Sequence, residues 1–357
     1  MTEITPYRRT LQERVLGRTS LTVRRVGFGG IPIQRLSTDD AVTVVRRAFE
    51  LGINFFDTAR AYTTSEARIG EALEDIRDET FIATKSVHRD KVGLLEDLET
   101  SLGKLRTDYI DLYQLHMVSK DEEWKRIQDP GGALEGLFEA KDEGKINHLG
   151  ITSHNPELMM KVLREGTFET VMIPFNYLTQ IPADGLLPLC AKLGVGTIVM
   201  KPFGGGALTN IRTALRYVLG NGDVDVVIPG MMSAAEIEEN VAVASGSFDL
   251  SQEDLRLIDE DRDHLGDQFC RACDYCQPCP QGIPISFVLR VEDQFLKLTG
   301  LTPRHMRRIP EAEVKVASCL LCGQCEEKCP YHLPIMDLLP ERMGSILKLL
   351  RARQYVK

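Results

Sequence analysis

The sequence predicts an α/β protein: a closed parallel barrel of eight strand–helix units, followed by a smaller, mostly helical domain rich in cysteine. Three observations carry this. Short apolar runs alternate with longer amphipathic segments over the first 265 residues, and eight such units in about 240 residues match the ~250 of a (β/α)8 barrel. No Gly-x-Gly-x-x-Gly opens a helix after a strand, as an open doubly wound sheet would use for a dinucleotide. Val26-Gly27-Phe28-Gly29-Gly30 comes closest, but Pro32 and a polar stretch to Thr38 follow it. Third, eight of the nine cysteines lie beyond residue 269, and the charge divides there too, with a net of −13 before and +4 after. The expected domains are 1–265 for the barrel and 266–357 for the cysteine region.

The elements follow in order. Candidate strands are Val26–Gly29, Ile53–Phe56, Phe81–Thr84, Tyr109–Leu115, Ile146–Ile151, Val171–Pro174, Gly196–Met200 and Val224–Ile228. Helical patterns between them include Thr38–Leu51, Glu66–Ile76, Lys91–Leu102 and Pro156–Arg164. Thr38 before Asp39 and Asp40 signals a helix start, and Gly52 after Leu51 a stop. Beyond the barrel, Ser286–Leu298, Pro310–Ala317 and Leu338–Arg353 read as helices. Cys190, in a helical pattern, reads as a buried small hydrophobe.

Composition narrows the function classes. The chain has 357 residues, 43% hydrophobic and 27% charged, which excludes a disordered or fibrous protein. The net charge of −9 argues against a nucleic-acid partner. The longest uncharged stretch, Thr170–Ala183, contains Pro174 and Pro182 and falls short of the ~20 apolar residues of a membrane span. Met1–Gln12 carries Glu3, Arg8 and Arg9 with no apolar core, so no secretory signal is read and a cytoplasmic location is expected.

In a barrel, catalytic groups belong at the C-terminal ends of the strands. Asp57 and Tyr62 follow the second strand, Lys85 the third and His116 the fourth. Each alone reads as an ordinary structural residue. Together they make an acid catalyst: a lysine near a tyrosine lowers the phenol pKa, an aspartate holds the lysine charged, and the histidine orients a carbonyl.

Phe56-Asp57-Thr58-Ala59-x-x-Tyr62 with Ser65-Glu66, then Ala83-Thr84-Lys85, then Asp111-Leu112-Tyr113-x-Leu115-His116, resemble the aldo-keto reductases from about Val15 to Asn240. The resemblance implies reduction of a small-molecule carbonyl, or the reverse alcohol oxidation, by a nicotinamide cofactor. Tyr62 would be the general acid, Lys85 and Asp57 would tune it, and His116 would place the substrate oxygen. It also implies cofactor contacts. Thr152 and Ser153 stand where the carboxamide is held, and Lys201-Pro202-Phe203-Gly204-Gly205-Gly206 where the pyrophosphate lies. Gly230, Ser233, Glu236, Glu239 and Asn240 fall at the adenosine end, and Gly30 is grouped with them. Three departures bear on the cofactor: Met200 replaces the aromatic that stacks on the nicotinamide, Met172 stands near a common glutamine, and Gly230 and Glu236 replace basic contacts to a 2′-phosphate. A carboxylate at 236 favours NADH over NADPH, and Met200 leaves room for a flavin as the alternative.

The cysteines form two similar runs. Cys270-x-x-Cys273-x-x-Cys276-x-x-Cys279-Pro280 is followed by Cys319-x-x-Cys322-x-x-Cys325-x-x-x-Cys329-Pro330. In a reducing compartment clustered thiols read as metal ligands rather than disulfides. Zinc is one alternative; three cysteines at every third residue suit the corners of an iron–sulfur cubane better. The second run resembles the bacterial ferredoxins, and the resemblance implies two 4Fe-4S clusters with the fourth cysteines exchanged. One would take Cys270, Cys273, Cys276 and Cys329, the other Cys279, Cys319, Cys322 and Cys325; the residue missing before Cys279 sets this pairing apart from the pattern. A second function class therefore stands beside the reductase: an electron-transfer or redox-sensing subunit, with the barrel as scaffold, exchanging electrons with a ferredoxin, another one-electron carrier or a flavin. Substrate choice is expected from the loop Val118–Asp129, which carries Trp124, from Ile31–Ser37, and from the cysteine domain if it covers the barrel mouth.

Overall fold

The computed structural model of the chain describes residues 11–292, 301 and 303–352. Most of the Met1–Gln12 segment, the end of the expected helix Ser286–Leu298, and Arg353 lie outside these. The chain divides into two compact units, one of 1–203 with 210–252 and one of 204–209 with 253–357. The helix Gln252–Leu265, grouped by sequence with the barrel, thus lies with the second unit apart from its first residue.

The first unit opens with an antiparallel hairpin that the sequence reading did not anticipate, β1 (Glu13–Val15) and β2 (Thr22–Arg24). Eight parallel strands follow: β3 (Phe28–Gly29), β4 (Phe55–Asp57), β5 (Phe81–Ser86), β6 (Ile110–Leu115), β7 (Ile146–Thr152), β8 (Thr170–Pro174), β9 (Gly196–Met200) and β10 (Val226–Ile228). They pair in sequence order, and parallel bridges from Val26 to Val227 and Gly29 to Gly230 join first to last. All eight expected strands are present. The first is shorter than its apolar run, since Val26 makes only a bridge.

Helices cover the outside. The one at Thr38–Glu50 is capped by Ser37, whose Oγ accepts from the Asp40 amide at 3.1 Å, one residue earlier than the acidic pair suggested. Its stop is as expected, with Gly52 at φ 99°. Buried Val45, Ala48, Leu98, Leu137 and Val162 join the sheet exterior in the main core.

A second core fills the barrel. Phe55, Ala83, Leu112, Met172, Ile198 and Val226 pack together with Leu16, Leu21 and Val23 of the hairpin. The hairpin thus closes the floor, at the N-terminal ends of the strands. Gly196 admits it, because a Cβ there would come within 2.8 Å of the Leu16 backbone. Arg18 fastens the edge, donating to the carbonyls of Gly166 and Phe168 at 2.7 Å.

The second unit has helices at Gln252–Leu265, Ile285–Arg290, Pro303–Ala317, Gln324–Glu327 and Ile335–Ala352. Its core joins Ile283, Val288, Ile309, Leu339 and Ile346 to Cys270, Cys276 and Cys329. The helix expected at Pro310–Ala317 begins earlier, with Pro310 inside it, and the last begins at Ile335 rather than Leu338. Among the described residues no helix is long and apolar enough to cross a membrane.

Candidate active site

Strand periodicity builds the site. Alternate residues of a strand face one side, so above the interior layer of Phe55, Ala83 and Leu112 the next inward positions are Asp57, Lys85 and Gln114. Lys85 Nζ donates to both oxygens of Asp57 at 2.7 Å and to the Thr58 carbonyl at 2.5 Å. Gln114 Nε2 donates to Asp57 Oδ1 at 3.3 Å. Gly150 makes room for that glutamine, since a Cβ there would stand 2.8 Å from Gln114 Cγ. Asp57 is 3% exposed and Lys85 1%, so the pair is an ion pair out of water. Burial pushes the Lys85 ammonium below its ordinary pKa, and the Asp57 carboxylate draws it back up.

Tyr62 and His116 complete the group. Lys85 Nζ lies 5.2 Å from the centre of the Tyr62 ring. The imidazole meets that ring edge-on, with centroids 5.8 Å apart and planes at 81°. The four residues singled out in the sequence are therefore brought together. One electrostatic expectation is corrected: the Tyr62 phenol is pushed up, by burial first and by the charge of Asp57 second. Burial and Asp57 outweigh the pull of the Lys85 ammonium, which is itself bound to Asp57, so the phenol stays protonated at neutral pH. His116 is held well below its ordinary pKa by burial, then by the charges of Lys85, Arg89 and Lys201. Its Nδ1 has no hydrogen-bond partner among the described residues. This is a neutral imidazole beside a protonated phenol, over a buried ion pair.

Several of the residues expected to hold a cofactor already serve the fold. Thr152 and Ser153 are buried at and just past the end of β7; Thr152 Oγ1 accepts from the Met117 amide at 2.8 Å and Ser153 Oγ from the Asn155 amide at 2.9 Å. Lys201, past the end of β9, has φ 56°, and its Nζ lies 2.8 Å from His154 Nε2. Pro202 is buried and Phe203 half-buried. Gly204 and Gly206, at φ 58° and 91°, begin the segment that groups with the second unit. Gly30 is explained by packing: a Cβ would come within 2.8 Å of the Asp57 carbonyl and Ser65 Oγ. Gly230 lies at the closing bridge, where a Cβ would meet Pro32 at 2.7 Å. Ser233 caps the helix Ala234–Ala244, and Glu236 accepts from the Met232 amide at 2.7 Å. Glu239 is exposed, whereas Asn240 is buried with its Oδ1 unpartnered among the described residues.

Sequence reasoning missed Gln114, Asn176 and Arg89. Gln114 was accessible by counting, two residues after Leu112 and two before His116 on an inward-facing face. Asn176, just past β8, donates to the Lys201 carbonyl at 2.9 Å and supports that backbone. Trp124, expected to shape the substrate loop, is instead buried against Phe168, with its Nε1 donating to Glu165 at 3.1 Å. Among the motif residues, Asp111 sits at the opposite end of its strand. It takes Arg77 at 2.7 Å and the Ile82 amide at 2.8 Å, which makes it a brace rather than a catalyst.

The cysteines fall into two neighbourhoods. Cys270, Cys273, Cys276 and Cys329 lie within electrostatic reach of one another; burial, with the charge of Cys270 and Cys329 adding to it, pushes the Cys273 thiol up to about 12. Cys279, Cys319, Cys322 and Cys325 line one cavity, whose wall Cys276 also touches. Among the described residues no three His, Cys, Asp or Glu side chains are gathered tightly enough to hold a single metal ion. Cys190 is fully buried, with burial pushing its thiol up to about 12, as a structural thiol should be.

Fold and site together define a closed barrel whose protonated phenol, neutral imidazole and buried ion pair stand at the C-terminal ends of the strands. The aldo/keto reductase family model matches residues 25–213. The chain is 30% identical over 302 residues to L-galactose dehydrogenase of Arabidopsis thaliana, covering 70% of this chain and 93% of that protein. It is 28% identical over 228 residues to the NADH-specific methylglyoxal reductase of Escherichia coli, covering 56% of this chain and 69% of that one. Its fold is similar to that of aldo-keto reductase AKR11C1 from Bacillus halodurans, with a TM-score of 0.62 and 26% identity over 70% of this chain and 96% of that one. The chain belongs to the aldo/keto reductase family: it is an NAD(P)-dependent oxidoreductase. Both cysteine runs lie beyond the matched residues.

Proposed function

We propose that the protein reduces a small-molecule carbonyl with NADH, with Tyr62 as proton donor, and that its second unit carries two 4Fe-4S clusters. The observation that carries the first part is the grouping of Asp57, Tyr62, Lys85 and His116 over a closed barrel floor. When bound, the nicotinamide supplies the hydride. The chain's own residues handle the proton and the orientation. Tyr62 holds a proton on Oη that passes to the carbonyl oxygen as it gains charge. Lys85, held by Asp57, which Gln114 fixes in turn, places a positive charge near the ring where phenolate develops. Neutral His116 donates a hydrogen bond to the same oxygen without competing as an acid.

The preference for NADH is supported by the exposed Glu236 and by Gly230, where a basic residue would favour a 2′-phosphate. Relatives of both kinds exist, one an NADH-specific methylglyoxal reductase and another an NADP-dependent D-sorbitol-6-phosphate dehydrogenase. The donor chemistry of the second unit fits the clusters: eight thiols in two fours, divided as a ferredoxin divides them, with Cys329 beside the first run and Cys279 beside the second. A cubane spreads its four thiolates over four irons, so no single point need gather them.

The test is direct. Anaerobically purified protein is expected to oxidise NADH only when a carbonyl compound is present and to bind NADH at least tenfold more tightly than NADPH, a difference of about 1.4 kcal/mol. Glu236→Arg should narrow or reverse that ratio. A protein that reduces no aldehyde or ketone across a broad panel, yet accepts electrons from a ferredoxin, would leave the barrel as a scaffold instead.

A further inference from the structure

We propose that Arg89 is a positioning residue for carbonyl reduction: its guanidinium fixes the backbone turn that carries His116 and so sets the direction of the imidazole. The proposal rests on the role of His116 given above. Arg89 stands outside the group of four. One terminal nitrogen donates to the carbonyls of His116 at 2.9 Å and Met117 at 3.0 Å; the other donates to the Val87 carbonyl at 3.0 Å. One side chain thereby ties the end of β5 to the end of β6. Glu123 anchors the guanidinium at 3.5 Å, and its other oxygen accepts from the amides of Ser119 at 2.8 Å and Lys120 at 3.2 Å. The bracket therefore spans the whole loop after β6.

The turn needs such a bracket. Met117 has φ 57°, a left-handed conformation that a side chain rarely adopts and that costs on the order of 1–3 kcal/mol unless its surroundings impose it. Three groups impose it here. The His116 amide donates to the Ser86 carbonyl at 2.8 Å, the Met117 amide to Thr152 Oγ1 at 2.8 Å, and both carbonyls accept from Arg89. Arg89 is the charged one of the three, and its charge also acts on the imidazole. The titratable and charged groups around that ring are Lys85, Arg89 and Lys201, with Tyr62 edge-on and Asp57 bound to Lys85. Removing the charge of Arg89 should therefore let the imidazole pick up its proton at a higher pH.

The experiment separates position from charge. Arg89→Gln and Arg89→Lys are compared with the wild-type chain in carbonyl reduction. The His116 ring is followed by ¹⁵N NMR, with His116→Asn assigning its signal. Arg89→Gln is expected to lower kcat by about 10–100-fold, the scale of a misdirected catalytic group, with KM nearly unchanged. Its His116 titration should move up toward 6.5. Arg89→Lys keeps the charge but not the fork, so the titration should return to the wild-type position while kcat recovers only in part. A role in stability alone would lower Tm and leave kcat per folded site and the titration where they were; that result overturns the proposal. If Arg89→Gln does not fold, Arg89→Lys decides, since an unchanged kcat there is equally fatal. Should the wild-type chain reduce no carbonyl, the enzymatic reading fails separately, and the NMR titration of Arg89→Gln still reports whether Arg89 acts on His116.

Discussion

Removing the Asp57 carboxylate leaves the Lys85 ammonium buried with the Thr58 carbonyl as its remaining partner among the bonds described. Breaking a buried pair from one side typically costs ~3–5 kcal/mol, whereas replacing both partners by apolar groups is often near neutral. Asp57→Ala should therefore lower urea stability on that scale, and the Asp57→Ala, Lys85→Met double variant should regain most of it; additive losses would mean the pair is not coupled. Tyr62→Phe keeps the ring and loses the proton, so carbonyl reduction should fall by ~10²–10⁴-fold while NADH binding, followed by fluorescence, stays within a few-fold. His116 sets a pH dependence. Its folded pKa lies below the unfolded value near 6.5, so the unfolded chain binds more protons between the two, and stability falls as pH drops through that window. His116→Asn should flatten that part of the stability profile. At this scale the sequence was most informative, because the residue types and spacings of the four are chemically distinctive. It misjudged the electrostatics: the raised phenol and the neutral imidazole follow from burial, which spacing does not report.

At the scale of elements, short apolar runs between amphipathic segments marked every barrel strand, and the pattern failed where tertiary contact overrides it. The hairpin β1–β2 consists of three-residue strands with mixed polarity, and only the apolar interior it closes makes Leu16, Leu21 and Val23 a core. Trp124 illustrates the same limit, since its partner Phe168 is far away in sequence. Gly150 is an element-scale requirement with a test. A Cβ would come within 2.6 Å of Thr170 Oγ1 as well as against Gln114, so Gly150→Ala should cost on the order of 1–3 kcal/mol, the scale of overpacking. Because Gln114 bonds to Asp57, kcat should fall with it; a stable, fully active variant would show that the glutamine is dispensable. In the cysteine region, Cys322→Ala should remove about half of the bound iron and loosen the second unit, as judged by limited proteolysis, while the reductase activity of the barrel persists.

At the scale of the molecule, the proposal joins two kinds of electron chemistry. A nicotinamide gives up two electrons as one hydride, and a cubane accepts one at a time. Protein with two clusters should contain about eight iron atoms per chain and be brown. In stopped-flow absorbance NADH alone should leave the clusters oxidised, and an external one-electron donor should reduce them. Rapid bleaching by NADH in flavin-free protein would show a direct route; bleaching only after flavin is added would make Met200 part of a flavin site. A colourless protein with stoichiometric zinc would remove the clusters and leave the reductase standing.

The ring of strands is closed by bridges from Val26 to Val227 and from Gly29 to Gly230. On the ribosome this becomes a matter of waiting. At about 5–20 residues per second, the strand that receives Val26 is roughly 10–40 s behind it. During that interval β3 has an unpaired edge, and the hairpin residues Leu16, Leu21 and Val23 have only part of the interior they close. A nascent chain arrested short of Ile228 is thus an open sheet with sticky borders, and factors that shield such borders would govern how much of this enzyme a cell obtains.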